Sequence, residues 1–363
     1  LTFYRALDLS AQRDHPGIFS YGCKARLSMT ALPPRADVLP MKIIATGAAL
    51  PPGRIESCEL DQRLNKPPGY VERRSGVRYR FHASLDASQA ELAAAALNDA
   101  LTRNNISPDS IDLLISASAV AIQALPCTAA LILKVAGLPR GTPGFDVNSS
   151  CVSFISALQV AAGLLNAGAY RRIAIVSSDL VSRGIDWDDE ESSLIFGDGA
   201  ACAVVERGNG GSGILGSLVE THPQDSDLCE IKAGGTRCNP TTGMTDHDFL
   251  FHMKGKQLFR QAAALIEEYM ARLLTRSGVT LADLATVVPH QASHLSLEHM
   301  RKRLHVSPDV LVDIYRHHGN QVSASIPTAL HTAVTTGRFV PGKPVMLIGT
   351  AAGLTLAGMV LLP

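Results

Sequence analysis

The sequence predicts an α/β protein built from two copies of one unit, and three observations carry that expectation. Strand-length apolar runs alternate with helical stretches from Met41 to the C-terminus. The order of elements over residues 41–207 recurs over residues 212–363. Charge is sparse: 18% of the 363 residues are charged and 46% hydrophobic, as a chain burying a large core requires.

Residues 1–40 lack hydrophobic periodicity and carry Pro33, Pro34 and Pro40, so they read as an N-terminal extension outside the fold. Met41–Gly47 opens the first half as a strand. Leu113–Ala119, Gly144–Val147, Ile173–Ser178 and Ala200–Glu206 are the further strands expected there, with helices over Ala87–Arg103, Pro126–Ala136 and Val152–Ala167. A glycine-rich joint, Arg207–Ser212, leads into the second half. Its expected strands are Gly213–Glu220, Thr286–Pro289, Val310–Tyr315, Val345–Gly349 and Leu354–Leu362, and its helices Lys254–Arg276, Ser293–Leu304 and Ser325–Thr336.

Lys+Arg and Asp+Glu both number 33 and no basic run stands out, so no nucleic-acid footprint is present. Seven scattered cysteines, an odd number without a C-x-x-C pair, argue against a disulfide framework or a zinc site; no metal is expected, and a reducing cytoplasm is. The uncharged runs Leu113–Leu133 and Val345–Pro363 are broken by Gln123 and Pro126, and by Gly349, Thr350, Gly353 and Gly358. They read as buried strand–loop–helix and strand–turn–strand units rather than membrane spans.

Three junctions carry candidate chemistry. The segment from Asp146 to Leu158 runs from a strand through a polar turn into a helix with no polar face, Cys151 standing at its first turn. Unpaired N–H groups and the helix dipole there are expected to lower the thiol pKa. A buried core cysteine beside a Ser/Asn cap is the alternative. His290 ends the apolar run Val287–Pro289 just before a helix, where α/β folds collect their chemistry. Asn320 follows Gly319 in a turn before a helix of small residues. Singly, His290 passes as structural and Asn320 as a turn residue. Duplication sets Cys151 and Asn320 at matching positions across a pseudo-twofold axis.

Together these stretches resemble the thiolase superfamily, specifically β-ketoacyl-acyl-carrier-protein synthase III. The similarity runs from Met41 onward. Its matching pieces are Tyr70–Val77, Ala124–Ala129, the Cys151 stretch, Phe196–Ala200, Met253–Gly255, Pro289–Ala292, Gly319-Asn320 with Ser325–Pro327, and Gly349–Gly353. The resemblance implies a thiolase-like fold in which two duplicated α/β halves form a five-layered α-β-α-β-α sandwich. It implies an acyltransferase in which Cys151 takes an acyl group from acyl-CoA. A malonyl thioester, on acyl carrier protein or CoA, then decarboxylates and condenses with it, while His290 and Asn320 hold its carbonyl. No cofactor is implied. The oxyanion hole maps to the N–H groups of Cys151 and Ala352. Leu125 stands where an aromatic caps the acyl pocket across a homodimer; Tyr70 and Arg74 match CoA-contacting positions. Ser293 and Leu295 replace an asparagine and a carrier-docking arginine, whereas Lys302 and Arg303 keep basic charge on that helix. These departures suggest specialised lipid or polyketide synthesis.

A degradative thiolase needs a second cysteine near the C-terminus, and none follows Cys238. The sequence around His290 does not match a plant-type polyketide synthase, and a hydroxymethylglutaryl-CoA synthase wants a glutamate as acid, for which Glu91 is a candidate by helix position only. Acyl transfer to an alcohol or amine without decarboxylation, and a non-catalytic subunit of a heterodimeric condensing enzyme, are the remaining alternatives.

Overall fold

The computed structural model describes residues 38–363; what was expected of residues 1–37 lies outside them. The strands in chain order are β1 (Leu39–Pro40), β2 (Lys42–Ala49), β3 (Arg54–Glu56), β4 (Tyr79–Phe81), β5 (Leu113–Ser116), β6 (Gly144–Asp146), β7 (Arg172–Asp179) and β8 (Gly199–Glu206). They continue as β9 (Gly213–Thr221), β10 (Cys229–Glu230), β11 (His252–Met253), β12 (Thr286–Pro289), β13 (Val345–Ala351) and β14 (Thr355–Leu362). The α-helices are α1 (Ser57–Arg63), α2 (Tyr70–Ser75), α3 (Gln89–Arg103), α4 (Thr128–Val135), α5 (Ser153–Asn166), α6 (Glu190–Ser193), α7 (Gly255–Ser277), α8 (His294–Leu304), α9 (Tyr315–His318) and α10 (Ser325–Thr335).

Ten of the strands form two five-stranded sheets, ordered β2-β8-β7-β5-β6 and β1-β9-β14-β13-β12, and the other four pair as the ribbons β3–β4 and β10–β11. The duplication extends to hydrogen-bond polarity. β5–β7 and β12–β13 are parallel, while β2–β8, β7–β8, β9–β14 and β13–β14 are antiparallel. In the second half the place of β6 is taken by a single bridge, Val287 to Leu311. The strand expected over Val310–Tyr315 is therefore wrong beyond that bridge. The Gln291 side chain takes over the ladder's role, donating to Val312 O (3.1 Å) and accepting from Ile314 N–H (3.0 Å), and α9 begins at once. The boundary at residue 40 also moves, because Leu39 and Pro40 pair with Ile214 and Gly213 at the edge of the second sheet.

Alternation along the strands explains the layering. Ile173 and Ile175 of β7 face a core shared with α5, α10 and the second sheet, whereas Ala174 and Val176 face α3 and α4. Met346 and Ile348 of β13 face α7, and Val345 and Leu347 face inward. Five layers result: α3/α4, sheet, α5/α10, sheet, α7. Both sheets are covered on two faces, which is why their strands read as unbroken apolar runs. No helix among the described residues is long and apolar enough to cross a membrane. Two excursions leave this framework, residues 50–86 and 222–254, and both reach the site.

Candidate active site

β6 ends at Asp146, and a tight turn carries the chain to Cys151. Ser150 takes a left-handed φ of +52°, an uncommon conformation for a residue with a side chain. Local bonds hold it there. Asn148 Oδ1 accepts from Ser150 N–H at 2.9 Å, and Ser153 Oγ accepts from Ser149 N–H (2.9 Å) while donating to Ser150 O (2.6 Å). Cys151 thus stands two residues before α5 rather than in its first turn, at the floor of a pocket of about 350 Å³.

His290 follows β12 directly. Its N–H donates to Ile348 O at 2.8 Å, which locks it beside β13. Close approach of the two strands requires a glycine opposite. A Cβ on Gly349 would lie 2.9 Å from His290 Cβ and 3.1 Å from Val152 Cγ1, so Gly349 sits between the histidine and the residue after the nucleophile. Asn320 is brought in by the loop before β8. Its N–H donates to Ile195 O (2.7 Å), and its O accepts from Gly197 N–H (3.1 Å). Gly319, at φ +68°, passes so close that a Cβ would meet Ile195 O at 2.6 Å. This docking gives the Phe196–Ala200 stretch its physical role.

Cys151, His290, Asn320 and Ala352 all line this one pocket. Asn320 Oδ1 is occupied by Val322 N–H (2.8 Å) and Ser325 Oγ (3.4 Å), and Nδ2 donates weakly to Ala292 O (3.3 Å). The amide therefore turns its NH₂ side to the pocket. His290 is buried, and burial lowers its pKa to about 4, so the ring is a neutral imidazole. Its Nδ1 is enclosed without a partner, which leaves Nε2 to reach the pocket.

The thiol departs from the expectation of a depressed pKa. Burial, then the neighbouring Cys229 and Asp179, push Cys151 up; the N–H groups of Ala352 and of Cys151 itself pull the other way and lose. Desolvation outweighs the backbone donors because the half-buried Cys151 is packed among the apolar groups of two core clusters. Asp179 is fully buried, accepting from Ser323 N–H (3.0 Å), Val120 N–H (2.9 Å) and Ala119 N–H (3.2 Å), and so ties α10's approach to the first half.

A family model described as 3-Oxoacyl-[acyl-carrier-protein (ACP)] synthase III matches residues 145–223, and the model for its C-terminal part matches residues 274–362. The β-ketoacyl-[acyl-carrier-protein] synthase III of Erythrobacter litoralis is 32% identical over 316 residues, covering 86% of this chain and 96% of that relative. The chain belongs to the β-ketoacyl-acyl-carrier-protein synthase III family. Among solved structures, the synthase III of Aquifex aeolicus matches with a TM-score of 0.79 at 27% identity, over 89% of this chain and all of that one. The priming β-ketosynthase of the R1128 polyketide pathway matches with a TM-score of 0.78 at 28% identity, over 90% and 97%. The fold is thus thiolase-like, and this synthase is a condensing acyltransferase.

The other expected site residues fall around the pocket's rim or away from it. Arg74 lines the mouth of this synthase's pocket. Tyr70 stands beside it on α2 with its hydroxyl donating to Glu190 Oε2 at 2.6 Å, and Lys66 pairs with the same carboxylate. Arg303 lines the rim and pairs with Glu267 at 2.5 Å, whereas Lys302 is exposed. Leu295 is exposed at the rim as well. Ser293 caps α8, accepting from Ser296 N–H at 3.1 Å. Leu125 does not line its own chain's pocket and is 84% exposed. Sequence reasoning missed the walls: Cys229, Phe251 and Met253 from the second excursion, and Leu258, Phe259 and Ile266 from α7. The Met253–Gly255 stretch stands out in the sequence, but only the fold brings it to the pocket that holds Cys151.

Proposed function

We propose that this synthase loads an acyl group from acyl-CoA onto Cys151 and condenses it with a malonyl thioester. In the first half-reaction the Cys151 sulfur bonds to the acyl carbon, the acyl–sulfur bond to CoA breaks, and the thiol proton passes to the departing CoA sulfur. The tetrahedral oxyanion is served by the N–H groups of Cys151 and Ala352. In the second, CO₂ leaves the malonyl group and the resulting enolate oxygen is held by His290 Nε2–H and Asn320 NH₂. Its carbon then attacks the acyl-cysteine, and the Cys151 sulfur leaves and regains a proton. One observation carries the reading: two neutral donors, one imidazole and one amide with its oxygen already engaged, share a pocket with the nucleophile. Neutral donors stabilise an enolate without protonating it.

Leu125 supports an acyl pocket completed by a second copy of the chain. Its exposure in the single chain is what a residue reaching into a partner's pocket requires. A leucine there leaves more room than an aromatic, so longer or branched acyl groups fit and a specialised lipid or polyketide role follows. The named similarity to a priming β-ketosynthase of a polyketide pathway agrees with it. The malonyl group arrives on carrier protein or CoA, with Lys302 and Arg303 the basic contacts for the former. Transfer to an alcohol or amine is disfavoured, because an imidazole with a pKa of about 4 is a poor base at neutral pH.

Incubation with a panel of acyl-CoAs, read by intact mass, tests the reading. The expected result is an acyl adduct on Cys151, absent in Cys151→Ala, followed by CO₂ release and β-ketoacyl product on adding a malonyl thioester. Loading without CO₂ release under any malonyl donor would overturn it, and loading by acetyl alone would overturn the role given to Leu125.

A further inference from the structure

Away from the pocket floor, one cluster of ligating side chains has no part in condensation. Asp186 lies on the loop after the turn at Val181–Gly184 and is more than nine-tenths buried. Its Oδ1 accepts from Asp188 N–H at 3.0 Å. Its Oδ2 has no hydrogen-bond donor among the described residues and faces His247 Nε2 at 3.5 Å. His247 Nδ1 in turn lies 3.4 Å from His252 Nε2, which also approaches His247 O at 3.1 Å, and the two rings are stacked parallel to within 8°. One ligand atom from each of the three residues falls within 4.8 Å of the other two.

That spacing is close to what an ion needs. Zinc takes nitrogen and oxygen ligands at about 2.0–2.2 Å. A triangle with sides of 4.8 Å puts its centre about 2.8 Å from each corner, so each ligand atom closes by about 0.7 Å at most. His247 is exposed and sits on a single turn of helix, so its ring can swing out of the stack on His252 and its carbonyl can release His252 Nε2 (3.1 Å), after which water completes the coordination. Two imidazoles and one carboxylate suit zinc, cobalt or nickel rather than calcium or magnesium.

The ligands also join two parts of the molecule. Asp186 belongs to the first half, whereas His247 and His252 belong to the excursion over residues 222–254. His252 pairs with Glu230 in the β10–β11 ribbon, and its neighbours Phe251 and Met253 line the pocket. We propose that Asp186, His247 and His252 bind a divalent transition-metal ion that fastens this ribbon, a wall of the acyl pocket, to the first half. The ion is structural and touches no reacting atom.

The test uses the full chain, stripped with chelator and titrated with zinc by calorimetry and with cobalt by visible absorption. We expect about one equivalent to bind at this site, with a cobalt spectrum lacking thiolate charge-transfer bands. Amide exchange in β10–β11 should slow on adding zinc. His247→Gln and His252→Gln should each weaken binding at least tenfold and abolish the slowing, with unchanged melting in the absence of metal. Zinc binding unchanged in the double variant, thiolate bands alone, or no binding would overturn the proposal. Should the variants fold poorly, the cobalt spectrum of the unaltered protein decides it alone.

Discussion

Asn320→Asp separates the two half-reactions. The substitution is nearly isosteric, and one carboxylate oxygen inherits the bonds from Val322 N–H (2.8 Å) and Ser325 Oγ (3.4 Å), so the turn on Ile195–Gly197 keeps its anchors. The other oxygen replaces the NH₂ group. It faces Ala292 O, formerly an acceptor at 3.3 Å, and the pocket where the proposed mechanism puts the enolate oxygen. A donor is lost and a repulsive oxygen put in its place. Losing one such donor costs about 2.7–4 kcal/mol, or a factor of 10² to 10³ in rate; the added repulsion makes this a lower bound. In the proposed mechanism acyl loading uses the Cys151 and Ala352 N–H groups instead, so it should fall by less than about tenfold. The assay is a split one: adduct formation on Cys151 by mass spectrometry, and CO₂ release from a malonyl thioester in a separate tube. Equal losses in the two, or decarboxylation within tenfold of the unaltered enzyme, would refute the division of labour.

Three further outcomes are expected. The folded-state pKa of His290, depressed to about 4 against 6.5, means the unfolded chain binds a proton that the folded one refuses. Its contribution is complete above pH 6.5 and is lost as pH falls toward 4, about 3 kcal/mol in all. Urea unfolding from pH 7 to 4.5 should therefore slope more steeply than in His290→Gln; equal slopes refute it. Alkylation of Cys151 by iodoacetamide should rise through pH 9 without a plateau, because burial holds the thiol protonated; a plateau at neutral pH refutes that. Gly349→Ala forces a methyl to 2.9 Å from His290 Cβ and 3.1 Å from Val152 Cγ1, an overpacking costing about 1–3 kcal/mol. Its melting temperature and both half-reactions should drop, and unchanged values would show that the strands have slack.

The framework was legible because both sheets are buried on two faces, so β5, β7, β8 and β13 announce themselves as apolar runs with helices between. The failures share one cause. Where side chains do the work of backbone, periodicity is silent: Gln291 ends the strand after Leu311 by taking Val312 O and Ile314 N–H. Leu39-Pro40 is too short to carry a pattern, yet it pairs with β9. The excursions are legible only as loops, so the pocket walls at Cys229, Phe251 and Met253 and the Asp186–His247–His252 cluster emerge from tertiary placement alone. Cys151 and His290 were legible because each follows a strand and precedes a helix, a junction that sequence marks, and Asn320 because a Gly-Asn turn precedes the small-residue helix α10, although a helix, α9, and not a strand leads into it. What junctions do not mark is depth. Cys151 was placed by a helix terminus, and its protonation state was set by burial.

A protonated Cys151 alters where the first half-reaction of the proposed mechanism obtains its thiolate. His290, with a pKa of about 4, is a poor resting place for the proton. None is needed, since thiol replaces thiol in the exchange and the proton has only to reach the departing CoA sulfur. The N–H groups of Ala352 and Cys151 approach the sulfur without overcoming the desolvation cost, so they do not stabilise a thiolate strongly in the ground state. As the sulfur attacks, negative charge moves to the acyl oxygen, and the same donors then act on the charge that develops. Interactions stronger in the transition state than at rest raise the rate, whereas a preformed thiolate would have used them beforehand. Burial that opposes ionisation at rest is thus compatible with the proposed acyl transfer.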